Sequence, residues 1–310
     1  MIKIKMIKIT NLIFIKLLLF LFYIKKTIHL NAEEEINLPE EYDLRNEYSE
    51  CESLKLIRKQ GNCGGCWAFA VAEVISDRIC INSKGQNQTI LSETELLTCC
   101  YFCFNLTNIK KGCSGGTENS AFLYWVTYGL PTESCKSFFL IEEYDINNIK
   151  CKNKCDDGSK PEYFVGSDYR YIHKNEKEIM KEIYKYGSVT AYFEVYYDFY
   201  IYWYDNKSIG IYEFTPGFEY MGAHVIKIIG WGTDLINGKK IKYWLCANSW
   251  KTDESHDGFF KFKRGENQCN IEFLVYAGYM NSKIIHRNQE SIIVFENHFF
   301  NLQNLNKDFM

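Results

Sequence analysis

Cys66 follows the glycine-rich run Gln60-Gly61-Asn62-Cys63-Gly64-Gly65 and opens the apolar stretch Trp67-Ala68-Phe69-Ala70. Ala68, Val71, Ala72, Ile75 and Ile79 fall on one face at helical spacing, which predicts a helix beginning at Cys66. Backbone N–H groups and the positive dipole end at a helix start favour an anion, and so a thiol of lowered pKa. Such a thiol becomes a nucleophile when a base stands within hydrogen-bond reach and a third group holds that base. Among the six histidines His224 stands out, because Gly222-Ala223-His224-Val225-Ile226 leads into an apolar strand that ends in Gly230-Trp231-Gly232. Farther on, Tyr243-Trp244-Leu245-Cys246-Ala247-Asn248-Ser249-Trp250 sets an amide, Asn248, at the end of another strand-like run. Taken singly, each has a plainer reading: a packed or disulfide-bonded cysteine, a core histidine on a strand, an Asn-Ser turn.

The elements that would carry these groups change character along the chain. From about 40 to 160 lie eleven of the thirteen cysteines, the Cys66 helix and Gly-rich loops. From about 185 to 280, aromatic and β-branched runs such as Ser188–Val195, His224–Ile229 and Tyr243–Ala247 predict strands. A second helix over about 175–186 follows from Ile179, Met180, Ile183 and Tyr186, with Gly187 to stop it. A helical half followed by a strand half predicts an α+β chain in two lobes.

With 310 residues, 46% hydrophobic and 16% aromatic, the chain has ample material for a core. A net charge of −3 supplies no basic excess for nucleic acid. Thirteen cysteines point to an oxidising compartment. Lys3, Lys5 and Lys8 precede the apolar run Leu17–Ile24, and Ala32 sits near a plausible cleavage point; residues 1–32 therefore read as a signal peptide, the run being short for a membrane span. Sequons at Asn87, Asn105 and Asn206 agree with secretory passage.

The segments around Cys66, His224 and Asn248, in that order, resemble the active-site segments of the papain-like cysteine proteases. The resemblance runs from about Leu38 to Met280. It implies a papain-like two-lobe fold, a helical lobe over about 40–160 and a β-barrel-like lobe over about 161–280, with the active site in the cleft between them. By the same resemblance Cys66 attacks a peptide carbonyl as a thiolate paired with His224 imidazolium, and His224 then protonates the leaving amine. Asn248 would fix the His224 tautomer, with Trp250 shielding that bond. Gln60 would add an oxyanion donor beside the Cys66 N–H. Gly115 and Gly116 would pair with an extended substrate, and Val225 would also line its path. No cofactor or metal is implied. Protein and peptide substrates, cystatin-type inhibitors, a monomer and a lysosomal, vacuolar or extracellular address follow from the same likeness.

The likeness is closest to the cathepsin B branch, through Leu38-Pro39-Glu40-Glu41-Tyr42-Asp43-Leu44-Arg45, Leu96-Leu97-Thr98-Cys99-Cys100 and Arg264-Gly265-Glu266-Asn267-Gln268-Cys269. It implies disulfides Cys51–Cys80, Cys63–Cys113, Cys99–Cys151, Cys100–Cys103 and Cys135–Cys155. The sequence departs from the branch in four ways. No histidine lies between Cys113 and Asp168, where the branch carries a loop that binds the substrate's C-terminal carboxylate, so endopeptidase activity is expected over carboxydipeptidase activity. Leu274 stands where the main specificity pocket has an acid, and Tyr192 where it has a small residue. That pocket takes the side chain one position upstream of the scissile residue, so an apolar preference and a poor fit for arginine are expected. Residues 33–37 stand in place of a propeptide, and Glu254-Ser255 replaces a Trp-Gly pair after the Asn-Ser-Trp turn. Residues 281–310 form an extension of unassigned role.

Three other readings compete. A silent homologue acting as a binding protein is disfavoured because Gln60, Cys66, His224, Asn248 and Trp250 are all present. A redox pair at Cys63 and Cys66 lacks a preceding βαβ pattern. Cys100, Cys103, Cys151 and Cys155 could hold zinc, against which the signal segment and uneven spacing favour disulfides.

Overall fold

The structure is a computed structural model that describes residues 36–104, 111–138, 151–205, 209–250, 257–280 and the strand at 284–285. Helices α1 (Cys66–Asn82), α2 (Glu93–Cys99) and α3 (Glu118–Tyr128) are the main helices of the first half, and α4 (Glu176–Tyr186) follows. The strands are β1 (Tyr42–Asp43), β2 (Asp168–Ile172), β3 (Val189–Tyr196), β4 (Ile211–Tyr212), β5 (Tyr220–Ile236), β6 (Lys239–Ala247), β7 (Phe259–Lys263) and β8 (Val275–Tyr279), with a separate short pair from Tyr163–Phe164 and Ile284–Ile285. They form an eight-stranded sheet in the order β2-β8-β3-β5-β6-β7-β4, with β1 added against β5. All pairings are antiparallel except β4 with β7. This is an α+β chain, its helices concentrated in the first half and its sheet in the second.

The periodicity of α1 predicts one apolar face, but Trp67 through Ile81 are buried all round. Asp77 and Arg78 on its other faces are therefore paired in the interior rather than solvated. Lys227 Nζ of β5 lies 3.0 Å from Asp77 Oδ2, both side chains fully buried, and Ser188 Oγ donates to the same Oδ2 at 2.7 Å. Arg78 donates to Ser188 O at 2.8 Å, Gly187 O at 3.0 Å and Glu182 Oε1 at 2.9 Å. Buried charges are tolerable only when met in this way. The result is a central helix bolted to α4 and to the sheet, with Cys66 at its free end.

Helix α4 behaves as an ordinary surface helix. Asn175 Oδ1 caps it by accepting from the N–H groups of Lys177 and Glu178, at 2.9 and 3.3 Å, and Gly187 ends it at φ 105. Its buried side is Ile179, Glu182 and Ile183.

Strand β5 is far longer than the apolar run His224–Ile229 predicts. It continues to Ile236 and turns through Asn237 (φ 51) and Gly238 (φ 77) straight into β6. An Asn-Gly pair with both φ positive is the preferred two-residue hairpin connection, a sequence signal that the apolar pattern alone passes over. Pairing with β6 across that hairpin is what carries Asn248 back to His224.

Five disulfides, Cys51–Cys80, Cys63–Cys113, Cys99–Cys151, Cys100–Cys103 and Cys135–Cys155, cross-link the first half. The four thiols of the zinc reading are thus spread over three disulfides, and Cys63 of the redox reading is bonded elsewhere. Cys66, Cys246 and Cys269 are free. Among the described residues no helix is long and apolar enough to cross a membrane. The sequons at Asn105 and Asn206, residues 1–32, Glu254-Ser255 and most of 281–310 lie outside the described residues. Asn87 lies within them, half-buried, and accepts from the Thr89 N–H at 3.0 Å.

Candidate active site

Three segments meet in a cleft of about 750 Å³: the Gln60–Trp67 turn, the Cys113–Glu118 loop and the sheet residues Tyr192, Ala223, His224 and Val225, with Trp250. The first two are held together covalently by Cys63–Cys113, and Gly64 N–H donates to Cys113 O at 2.9 Å. A side chain on Gly64 would press on Cys113 O at 2.8 Å, so glycine there permits the close approach. Gly116 is also a steric requirement, since a Cβ would overlap the Trp67 ring.

Cys66 is half-buried at the first position of α1, with Gly65 as the cap residue. His224 sits on β5 with 3% of its surface exposed, and its Nε2 lies 2.8 Å from Asn248 Oδ1. That oxygen also accepts the Ser249 N–H at 2.8 Å. An amide oxygen already fixed by a backbone donor must accept from the ring as well, so Nε2 carries the proton and Nδ1 is left for other chemistry. Trp250 covers the pair, its ring 4.6 Å from that of His224.

Gln60 is held from three sides. Its N–H donates to Ser249 O at 2.9 Å, Ser249 Oγ donates to its Oε1 at 2.6 Å, and its Nε2 donates to Cys63 O at 2.8 Å. One amide hydrogen remains for the cleft. Ser249, which the sequence reading treats only as part of a turn, therefore joins Gln60 to Asn248.

Burial pushes the Cys66 thiol up to about 11; the Val225 N–H, and those of Trp67 and Cys66, pull the other way, and Glu118 adds to the rise. Burial lowers His224 to about 4, opposed by its bond to Asn248. The helix start therefore does not by itself lower the thiol, because desolvation outweighs it. Neither group ionises readily alone. Moving the proton from Cys66 to His224 creates two opposite charges together, and their attraction in a poorly solvated site works against both penalties.

Gly115 and Gly116 lie along the cleft, Gly115 at φ 101, and Tyr192 stands opposite Val225 in the β3–β5 register. Leu274 is half-buried; its carbonyl accepts the Tyr192 N–H at 3.0 Å, but it is not among the cleft-lining residues. Glu118, absent from the sequence reading, is among them. Its only signal there is its place two residues after Gly116, where it reads as an acidic first-turn helix residue.

The family pattern described as papain family cysteine protease matches residues 38–279. The chain belongs to the papain family of cysteine proteases. Among curated relatives, this papain-family chain is 42% identical over 250 residues to a gut-specific cysteine proteinase of Caenorhabditis elegans, covering 76% of this chain and 71% of that one. It is 40% identical over 251 residues to cathepsin B-like cysteine proteinase 3 of the same organism, covering 76% and 64%. Of solved structures, procathepsin B S9 from Trypanosoma congolense superposes with a TM-score of 0.68 at 31% identity, covering 81% of each chain. The molecule is thus a cysteine peptidase of cathepsin B-like kind, and peptides are its substrates.

Proposed function

We propose that this peptidase is an endopeptidase in which Cys66 forms a thioester with the acyl part of the substrate. Cys66 gives its proton to His224 Nδ1 and attacks the carbonyl carbon; His224 returns the proton to the departing amine; water then cleaves the thioester. Asn248 holds the His224 ring with Nε2 protonated, and Trp250 keeps water from that bond. The Gln60 amide and the Cys66 N–H receive the developing oxyanion. The observation that carries this reading is the 2.8 Å His224 to Asn248 contact in the cleft that also holds Cys66 and Gln60.

Gly115 and Gly116 offer backbone to an extended substrate, and Tyr192, Val225 and Ala223 line the facing wall. Tyr192 in the cleft wall and Leu274, whose carbonyl accepts the Tyr192 N–H, support an apolar preference in the main specificity pocket. The absence of histidine between Cys113 and Asp168 supports internal cleavage over removal of C-terminal dipeptides. The five disulfides support passage through the oxidising secretory pathway. We assign residues 1–32 to a signal segment and 38–280 to the peptidase domain.

An epoxide inhibitor selective for papain-like enzymes tests the assignment. A single adduct on Cys66, located by mass spectrometry and lost in Cys66→Ala, is expected, with peptide turnover falling by at least about 10⁴-fold in that variant. No adduct on correctly disulfide-bonded protein would leave a silent binding homologue as the better reading.

A further inference from the structure

Glu118 is the first residue of α3 and only 5% exposed, yet it lines the cleft. Its Oε1 has no hydrogen-bond partner. A buried carboxylate oxygen without a partner costs free energy that native structures seldom leave uncompensated, and in a substrate cleft the missing partner can be a substrate. The surroundings fit a cation on a long stem. Glu118 bears electrostatically on Tyr192, Tyr276 and Cys66. None of those three supplies a positive charge. Tyr192 offers an aromatic face for methylenes or a guanidinium plane.

We propose that Glu118 is a specificity-determining residue whose carboxylate receives the arginine or lysine head of a substrate side chain lying beside Tyr192, one position upstream of the scissile residue. The placement rests on the peptidase reading above, with the substrate strand running along Gly115 and Gly116; Glu118 then follows the second of these glycines by two residues. Burial raises the empty-site carboxyl to about 7, so with nothing bound in an acidic medium it is neutral. An incoming guanidinium supplies the counter-charge that makes the ionised form favourable, in a bidentate geometry suited to the pair. The apolar walls take the stem and the acid takes the tip. This replaces the poor fit for arginine that Leu274 alone implies.

Binding and turnover are read separately. In full-length Cys66→Ala protein, which cannot turn over, peptides carrying arginine or its uncharged isostere citrulline in that position are titrated by calorimetry. Arginine is expected to bind about tenfold or more tightly than citrulline, and the ratio to fall to about one when Glu118→Gln is added. Equal affinity for the two peptides with Glu118 intact overturns the proposal, and this comparison needs no further variant to fold. A ratio that persists in well-folded Glu118→Gln protein, judged by its unfolding transition, overturns it as well. Absence of turnover and of a Cys66 adduct in the unmodified enzyme would sink the peptidase reading instead, while the arginine-to-citrulline ratio would still report on Glu118.

Discussion

The two walls of the cleft are made rigid by different means. The wall that carries Cys66 lies in the part of the chain holding all five disulfides, whose members run from Cys51 to Cys155. The wall that carries His224 has two cysteines, Cys246 and Cys269, both buried and reduced. In their place stands an aromatic core: Phe199 packs 5.0 Å from Phe193, 5.0 Å from Tyr212 and 5.7 Å from Trp250, which in turn covers His224. The glycine loops of the first wall rest on a buried core that includes Trp67 and Leu97, and the cross-links hold them there. A sheet that already pairs every strand can be fixed by packing alone.

The contrast can be broken most severely by removing one device from each wall. Cys63→Ser with Cys113→Ser is expected to cost about 2–5 kcal/mol in urea unfolding. Phe199→Ala, at a fully buried ring, is expected to cost about 3–5 kcal/mol. In reductant the double serine variant and the parent should converge, because the parent has lost the same bond, whereas the Phe199→Ala deficit should persist. If both deficits vanish in reductant, the division of labour is wrong.

A smaller effect sharpens the comparison at the seam between the walls. Burial raises Glu73 of α1 from 4.5 to about 7, with Lys227 and Arg58 opposing the rise. Between those values the folded chain holds a proton that the unfolded chain has released, so stability is present below about 4.5 and lost as pH rises toward 7. Glu73→Gln should gain on the parent across that window by on the order of 3 kcal/mol, read from urea midpoints at its two ends. A constant difference would mean that Glu73 does not titrate there.

The mildest change falls on the solvated helix of the strand-rich half. Asn175→Ala removes the cap of α4 and is expected to cost about 1 kcal/mol, with catalysis untouched. A larger loss would show α4 to be a working part of the scaffold instead of an outer brace.

Much of this arrangement is legible from residue order, and the parts that are not have physical reasons. The start of α1 is written in the glycines before Cys66, and its core face in Ala68, Val71 and Ile75. Periodicity could not announce that Asp77 and Arg78 are buried too, because their partners Lys227, Ser188 and Glu182 lie more than 100 residues away. The reach of β5 beyond Ile229 depended on cross-strand pairing and on Asn237-Gly238, not on apolar pattern. The chemical groups of the cleft were visible as residue types, whereas desolvation at Cys66 and the placement of Glu118 are properties of the closed site.

Ser249 gives both ends of the reaction a common datum. Its hydroxyl locates the side-chain amide of Gln60, its carbonyl locates that residue's backbone, and its N–H locates the oxygen that steers His224. Displacing this one residue carries the anion receptor and the proton carrier along together, so their mutual registration survives motions that would shift either one relative to the thiol.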